Sequence, residues 1–251
     1  MCRMLIYYSN EPKSIPIQIL SKFIKSCHWD YFKKYDLVGH HGAGWGIAYI
    51  PSNSRELIVK RTLTPIYRSA WKNIRKIKSR FILIHARKTL FGEKKLENVH
   101  PIDIGAEYCL THNGTIKMDS FPTLNDKKLE RIKNYTDLDT RRYLCTILDQ
   151  LKSGNTLKNA IKTVLQQIRV SSAANAFLFN SNEVHIIKYQ NNTINGRHTT
   201  LFIDKSPERY LISTTPITSN ALEIPNRSLI SIPFIEDVLN EISFSRLNIG
   251  L

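Results

Sequence analysis

The sequence lacks any long hydrophobic run. No apolar stretch approaches the ~20 residues that a membrane-spanning helix requires. The strand-like stretch from Met4 to Tyr8 is too short, and its flanks too polar, for a signal peptide. We therefore expect a cytoplasmic protein without a membrane partner. Its 251 residues are 42% apolar and 23% charged, which is typical of a folded globular protein. We find no internal repeat or linker and predict a single domain over residues 1–251.

Cysteine is scarce. The four cysteines, Cys2, Cys27, Cys109 and Cys145, are far apart in the sequence and form no Cys-x-x-Cys pair. This spacing argues against a disulfide framework and against a cysteine-based zinc site. The eight histidines also lack the spacing of metal ligands. We expect neither a metal nor another cofactor.

Acidic residues are few: 21 Asp and Glu against 36 Lys and Arg give a net charge of +15. Such a charge is compatible with a nucleic-acid partner, with an acidic partner, or with a solvated basic surface. The densest basic run, residues 72–80, has Ala70, Ile74 and Ile77 at helical spacing, which predicts an amphipathic helix with a basic outer face. No nucleic-acid-binding motif accompanies it. We favour the solvated surface and expect no nucleic-acid partner.

The order of predicted elements indicates an α+β fold. Helices are predicted over residues 16–25, from Asp139 (a possible N-cap) and from Asn155 or Thr156. Asn195-Gly196, within residues 191–197, has the composition of a hairpin turn. Predicted strands cover residues 2–8, 44–50, 57–60, 80–86, 107–111, 174–179, 184–189, 209–214 and 228–232. Strands, then two helices, then strands again favour two antiparallel sheets with helices outside them.

Cys2 is a candidate nucleophile because of its position. Removal of Met1 leaves Cys2 with a thiol and a free α-amino group. An amine whose pKa is about 7.7–8.0 can accept the thiol proton near neutral pH. One residue then supplies both nucleophile and base. A cysteine also occurs at this position by chance, so the position alone is a weak signal.

Three further motifs have two interpretations each. His112-Asn113-Gly114 follows an apolar strand; it is either a tight turn or an oxyanion hole made by the Asn113 amide and the Gly114 N–H. Arg87, at the end of His85-Ala86-Arg87, is either a surface charge or a clamp for a substrate carboxylate. Asp139 either caps its helix or pairs with a substrate ammonium group. Each motif alone favours the first interpretation; together and in this order they favour the second.

In combination these motifs resemble the class II glutamine amidotransferases, whose glutaminase domain belongs to the N-terminal nucleophile hydrolases. The resemblance extends from Cys2 to about Thr140 and becomes looser beyond it. A later segment, Ser213-Thr214-Thr215-Pro216, resembles a degenerate form of a late strand motif in the stand-alone members. The residues that carry the resemblance are Met1-Cys2-Arg3-Met4-Leu5, Gly44-Trp45-Gly46-Ile47-Ala48-Tyr49, His85-Ala86-Arg87-Lys88, Asn98-Val99-His100-Pro101, Thr111-His112-Asn113-Gly114-Thr115-Ile116 and Asp139-Thr140.

The resemblance implies a four-layer αββα sandwich that hydrolyses a glutamine-like side-chain amide. By position, Cys2 would be the nucleophile, and Asn113 and Gly114 the oxyanion hole. Arg87 would bind the substrate carboxylate and Asp139 would help to bind its α-amino group. From their motifs, His100 and His112 are also expected in the substrate site.

Within the family, the short form of the motifs is most similar to a stand-alone subgroup that includes γ-glutamyl amidohydrolases. Two positions depart from the family pattern. Leu90 stands where many members have a small or hydroxyl side chain, and Arg141 where relatives usually have an acidic one. Leu90 bears on the choice of substrate, because it lies near the expected pocket wall.

Three alternatives to a self-contained hydrolase stay open. The chain could supply ammonia to a separate synthase subunit, since the glutaminase domain should use nearly all of its length. It could be a catalytically silent binding module of the same fold. A different N-terminal nucleophile acylase is a third possibility, but such enzymes lack the His-Asn-Gly context.

Overall fold

The structure, a computed structural model, describes residues 2–28, 40–54, 56–69, 71–88, 93–105, 107–191, 197–234 and 242–249. Two antiparallel sheets form the centre of the molecule. In chain order the strands are β1 (Arg3–Lys13), β2 (Trp45–Tyr49), β3 (Ile58–Thr62), β4 (Ser79–Ala86), β5 (Cys109–Ile116), β6 (Val170–Phe179), β7 (Glu183–Lys188), β8 (Phe202–Ser206), β9 (Arg209–Ser213), β10 (Leu222–Glu223), β11 (Ser228–Pro233) and β12 (Ser243–Arg246).

The first sheet has seven strands in the order β10-β8-β9-β1-β4-β2-β3, so the strand that follows Cys2 lies at its centre. The second sheet has five strands in the order β12-β11-β7-β6-β5, so β5 lies at its edge. All neighbouring strands in both sheets pair antiparallel. The helices of the described chain are α1 (Ile17–His28), α2 (Lys127–Asn134), α3 (Asp139–Lys152) and α4 (Leu157–Gln167).

The layers follow from the alternation of apolar side chains along the strands. On β1, Met4 and Ile6 face the second sheet and pack in one apolar cluster with Phe177 of β6. Leu5 faces the other way and packs against α1. On the far side of the second sheet, α3 and α4 bury their apolar faces against β5 and β6. The result is helix, sheet, sheet, helix, as the resemblance predicted. The single domain over residues 1–251 stays a prediction.

The helices show which sequence signals were informative. The predictions of α1, α3 and α4 are confirmed, and the Thr156 hydroxyl caps α4 by accepting the Asn159 N–H. Helix α2 was not predicted, because only two of its eight residues are apolar. Its N-cap is Asp126, which accepts the Leu129 N–H. Asp139 as the cap of α3 is wrong by one position: Leu138 is the N-cap and Asp139 the first helical residue.

The amphipathic helix predicted over residues 72–80 is also wrong. The chain forms a short 3₁₀ helix over Trp71–Lys76, and Ser79 already begins β4. Pairing of β4 with β1 on one side and β2 on the other outweighs the local helical pattern. Lys72, Arg75, Lys76 and Lys78 are exposed, as a solvated basic surface requires. Ala70, Leu90 and the predicted Asn195-Gly196 turn lie outside the described residues.

No helix among the described residues is long and apolar enough to cross a membrane.

Candidate active site

Cys2 lies immediately before β1, at one end of the first sheet. Its side chain is half-buried, and its Sγ–H donates a hydrogen bond to the Lys88 carbonyl at 3.6 Å. The alternation along β1 puts Cys2 on the face of Met4 and Ile6, which is the face between the two sheets. Thr214 fixes this end of the strand. The Met4 N–H donates to Thr214 Oγ1, and the Thr214 N–H donates to the Met4 carbonyl, both at 3.1 Å.

Arg87 lies beside Cys2 because β4 is antiparallel to β1, with Arg3 opposite Ala86. The Arg87 side chain is 5% exposed. Its Nη1 donates to the Glu93 carbonyl at 3.3 Å, and no carboxylate of the described residues pairs with it. A guanidinium has five N–H donors in a planar fork. A buried fork with so few protein acceptors is well suited to bind a carboxylate ligand.

Asn113 is the clearest sign of a ligand-binding site. It lies within β5, is 0% exposed, and neither atom of its side-chain amide has a hydrogen-bond partner among the described residues. Its cross-strand neighbour Asn175 is equally buried, but donates to the Thr199 carbonyl and accepts the Tyr189 N–H. An unpaired buried amide costs free energy and is rare in folded proteins unless it serves a function.

Gly114 is required by a close approach of two strands. A Cβ atom at this position would lie 1.7 Å from the Ala173 carbonyl oxygen of β6. The register of β5 against β6 shifts just after Gly114, before the Ile116–Val170 pair. The Asn113-Gly114 pair is therefore part of a strand and not a tight turn. Position 114 has to be glycine because the backbone of β6 lies against it.

His112 of β5, which is buried, pairs with Asp139, which is partly buried at the start of α3. The Asp139 carboxylate accepts the Ile116 N–H at 3.0 Å and the Thr140 N–H at 2.7 Å, and it lies 3.8 Å from His112 Nδ1. Burial is the largest single effect on His112 and lowers its pKa, but the charge of Asp139, the hydrogen bond to Asp139 and the Ala173 carbonyl together outweigh it, so the pKa lies above its usual value. Burial raises the pKa of Asp139, but His112 and the backbone N–H groups outweigh it and the pKa is lowered. A charged pair is favoured at this point.

Two further histidines lie against this pair. The Thr140 hydroxyl is 2.8 Å from His100 Nε2 and 3.2 Å from His112 Nδ1. The His85 and His100 rings are 4.2 Å apart between their centroids, and His85 Nε2 is 3.4 Å from the His112 carbonyl oxygen. Burial lowers the pKa of His85 to about 3 and also lowers that of His100. Both rings are therefore neutral at physiological pH.

The contact between His85 and His112 joins the two halves of the site. His85 precedes Arg87 by two residues on β4, and His112 directly precedes Asn113 on β5. Cys2 and Arg87 at the end of the first sheet thus lie near Asn113 and Gly114 at the edge of the second. Consistent with this arrangement, Cys2 is among the groups whose charge raises the pKa of His112.

The structure adds four residues to those chosen from the sequence. Thr140 bridges two of the histidines, Thr214 fixes the start of β1, and His85 and Asn175 flank the site. Thr140, Thr214 and His85 all belong to motifs already noted, but nothing in the sequence marked Asn175. Arg141 donates to the Glu97 carbonyl at 2.9 Å and so attaches the segment before His100 to α3. No group of three or more potential metal ligands occurs in the described part of the chain.

Comparison with known families adds an independent finding. The family model described as glutamine amidotransferases class-II matches residues 1–214. No curated protein sequence shows a significant match to this chain.

Solved structures with the same fold are distant in sequence. A glutamine phosphoribosylpyrophosphate amidotransferase from B. subtilis, complexed with ADP and GMP, has 18% identity and a TM-score of 0.64 over 100% of this chain and 50% of its own. A glutamine aminotransferase class-II domain protein from Silicibacter pomeroyi has 13% identity and a TM-score of 0.59, over 98% and 99% of the two chains. A predicted glutamine amidotransferase from Pseudomonas aeruginosa has 13% identity and a TM-score of 0.53, over 96% and 99%.

The chain spans about half the length of the B. subtilis protein and of the allosteric regulatory enzyme of purine biosynthesis, which it also resembles with a TM-score of 0.67 and 17% identity. At these identities the structures show a shared fold only.

Proposed function

Since the chain belongs to the class II glutamine amidotransferases, we propose that it cleaves the γ-amide of glutamine or of a γ-glutamyl compound through a thioester on Cys2. The observation that carries the proposal is the Asn113 amide, which is buried without a partner among the described residues and directly follows His112, whose pKa the Cys2 charge raises. The family and the fold support cleavage of the glutamine amide. The choice between glutamine and a γ-glutamyl compound as substrate is a further part of the proposal. Activity in this form requires that Met1 is removed.

The reaction has two steps. The α-amino group of Cys2 accepts the thiol proton, and the thiolate attacks the γ-carbonyl carbon. The Asn113 side chain and the Gly114 backbone N–H donate hydrogen bonds to the oxyanion that forms. The C–N bond then breaks, and the leaving amine takes the proton from the α-ammonium group. Water next hydrolyses the γ-glutamyl thioester, which releases the acid and restores the thiol.

The substrate head group explains the remaining residues. The Arg87 guanidinium binds the α-carboxylate as a planar fork. The Asp139 carboxylate accepts from the α-ammonium group, in addition to the two backbone N–H groups that it already accepts. His112 lies beside the Asp139 carboxylate and stabilises its charge. His100 contacts the same Thr140 hydroxyl as His112 and so fixes the position of the His112 ring. Through these contacts the histidines act on Asp139 as positioning residues.

The proposal is tested by measuring glutamate release from glutamine and from a γ-glutamyl peptide. We expect Cys2→Ala to abolish release while the circular dichroism spectrum stays unchanged. Cys27→Ala is the matched control, since Cys27 lies on α1 and is buried in the apolar cluster between this helix and the first sheet, so its loss should leave turnover within a few-fold of the unmodified chain. Undiminished hydrolysis by Cys2→Ala would disprove the proposal.

Intact-mass spectrometry separates the enzyme from a catalytically silent binding module. The active form should lack Met1 and gain the mass of one glutamine-analogue electrophile. Retention of Met1 by the purified chain, together with no adduct, would favour the silent module.

The fate of the leaving group separates two further possibilities. Full turnover of γ-glutamyl peptides by the purified chain would indicate a self-contained γ-glutamyl amidohydrolase. Glutaminase activity that rises several-fold in a stable complex with a second protein would indicate an ammonia-supplying subunit. The B. subtilis structure, a glutamine phosphoribosylpyrophosphate amidotransferase of which this chain covers 50%, is the reason to test the second possibility.

A further inference from the structure

A pocket lies outside the candidate active site, on the helical side of the first sheet. It has a volume of about 490 Å³ and lies between α1 and the segment that follows β9. The residues of α1 that line it are Lys22, Lys25 and Ser26, and those of the segment include Thr215, Ile217 and Thr218. Its volume lies within the range that holds small-molecule ligands.

The charge of this pocket is of one sign. The side chains of Lys22 and Lys25 are exposed and lie three residues apart on α1, so both ammonium groups are on the same side of the helix. Neither α1 nor the segment 214–218 contains an aspartate or glutamate. Among the described residues, the lining of the pocket therefore has two cations and no carboxylate.

Two buried hydroxyl groups give independent evidence for a ligand. Thr215 is 1% exposed, and its Oγ1 has no hydrogen-bond partner among the described residues. Thr218 Oγ1 is also buried without such a partner. Both residues line the pocket. Buried hydroxyl groups are normally paired because an unpaired one costs free energy, so each of these has a donor left for a ligand.

The carboxyl end of α1 carries a partial negative charge, which by itself would disfavour an anion. Several of its carbonyl groups are already paired. The Cys27 carbonyl accepts the His41 N–H at 3.0 Å and lies 3.1 Å from His41 Nδ1. The His40 ring lies against the His28 carbonyl, and the Ser26 hydroxyl donates to the Phe23 carbonyl at 2.7 Å. These contacts reduce the charge that the helix end presents to the pocket.

We propose that this pocket binds the phosphate group of a small molecule. Two ammonium groups and two hydroxyl groups supply four donors, which suits the three terminal oxygens of a phosphate monoester better than the two of a carboxylate. The apolar part of the pocket, including Ile217, leaves room for the rest of the molecule. This inference does not depend on the proposed amidase reaction, since none of its residues belongs to that site.

The test is a titration of the full chain with inorganic phosphate and, separately, with glycerol 3-phosphate, followed by calorimetry at low salt. We expect saturable binding at one site. The double variant Lys22→Gln/Lys25→Gln should weaken binding at least ~10-fold, because it removes both charged donors. Thr215→Val should weaken it about 3–10-fold while keeping the shape of the side chain. Tighter binding of glycerol 3-phosphate would identify an organic phosphate as the ligand; equal binding would identify free phosphate.

The control variant is Lys72→Gln/Lys76→Gln, which removes the same charge from an exposed part of the surface. We expect it to change the affinity less than about twofold, since it removes only exposed, solvent-screened charges that do not line the pocket. Equal weakening by both double variants would mean a general charge effect and would overturn the proposal. So would the absence of saturable binding, or unchanged affinity in Thr215→Val. None of these outcomes bears on glutamine hydrolysis, which is measured separately.

Discussion

Two asparagines that face each other across neighbouring strands show opposite uses of the same side chain. The Asn175 amide is fully engaged: it donates to the Thr199 carbonyl, which also accepts from Lys188, and it accepts the Tyr189 N–H. The Asn113 amide, one strand away, has no partner among the described residues. Asn175 therefore stabilises the fold, whereas Asn113 has its hydrogen-bonding capacity available for a substrate.

This contrast predicts that the two asparagines differ in their effects on turnover and on stability. Asn113→Ala should lower turnover by ~10²–10³ because it removes an oxyanion donor. It should change the free energy of unfolding by less than about 1 kcal/mol, since loss of the unpaired amide offsets the small void. Asn175→Ala should instead destabilise the fold by about 2–3 kcal/mol, because the Tyr189 N–H loses its acceptor and the Thr199 carbonyl keeps only its bond from Lys188.

Urea unfolding and steady-state kinetics on both variants measure the two effects. If Asn113→Ala destabilises the chain as much as Asn175→Ala, the Asn113 amide has a structural partner and its proposed role is wrong.

The sequence identified most of the candidate site but not the surroundings of its residues. Cys2, Arg87, Asn113 and Asp139 were chosen because of their motifs and their order. The sequence could not show that Asn113 is unpaired, because that depends on contacts with residues about 60 positions later. Nor could it show that His100 and His112 meet at one hydroxyl group, since Thr140 comes from a separate helix.

At the level of the element, β5 shows why local signals fail. The sequence predicted a strand only as far as Thr111, because Asn-Gly is typical of turns. The strand continues to Ile116 because Asn113 and Gly114 pair with Asn175 and Ala174 of β6. The missed strands β8, β10 and β12 likewise depend on partners distant in the sequence.

The attachment of α3 to β5 also predicts a measurable effect. Asp139→Asn replaces two acceptor oxygens with one, so either Ile116 or Thr140 loses its hydrogen bond. We expect a loss of about 1–3 kcal/mol in the free energy of unfolding. The pKa of His112 should fall, because Asp139 is the main group that raises it.

Urea unfolding and an NMR titration of His112 test this prediction. Asp137→Asn is the matched control: it removes a carboxylate of the same type two residues earlier, where the side chain is exposed. An unchanged His112 pKa in Asp139→Asn would contradict the prediction.

At the scale of the whole molecule, buried histidines contribute to the response to acid. Burial lowers the pKa of His85 from 6.5 to about 3, and it also lowers the pKa of His100 and of His185. Below pH 6.5 the unfolded chain binds protons at these rings that the folded chain excludes. Stability therefore falls as the pH drops, with a slope of at most about 1.4 kcal/mol per pH unit for each ring.

His112 acts in the opposite sense, because its pKa is raised in the folded chain. Its contribution is fully present below pH 6.5 and is lost as the pH rises through the folded value. It therefore does not offset the loss of stability that His85 and His100 cause between pH 6.5 and 4.5.

Urea midpoints at pH 7 and pH 4.5 measure this acid sensitivity. His85→Gln removes one of these three groups and should reduce the difference between the midpoints, whereas His40→Gln, which removes an exposed ring, should not. Equal differences in both variants would mean that the buried histidines are not responsible.

The four-layer architecture could be predicted because two kinds of information agreed. The order of strands and helices indicated two antiparallel sheets. The motifs from Cys2 to Thr140 indicated that these sheets stack between two helical layers. The basic run at residues 72–80 had no such support, and its helix prediction failed because the pairing of β4 with β1 and β2 extends back to Ser79.

The distribution of the four thiols has a practical consequence. Cys27, Cys109 and Cys145 are buried, and burial raises the pKa of Cys109 and of Cys145 to about 12. Of the four cysteines, only Cys2 is not buried. A thiol-specific dye applied without denaturant thus counts candidate active sites directly, at one equivalent per molecule. The same dye after unfolding counts all four sulfurs and calibrates the measurement within a single sample.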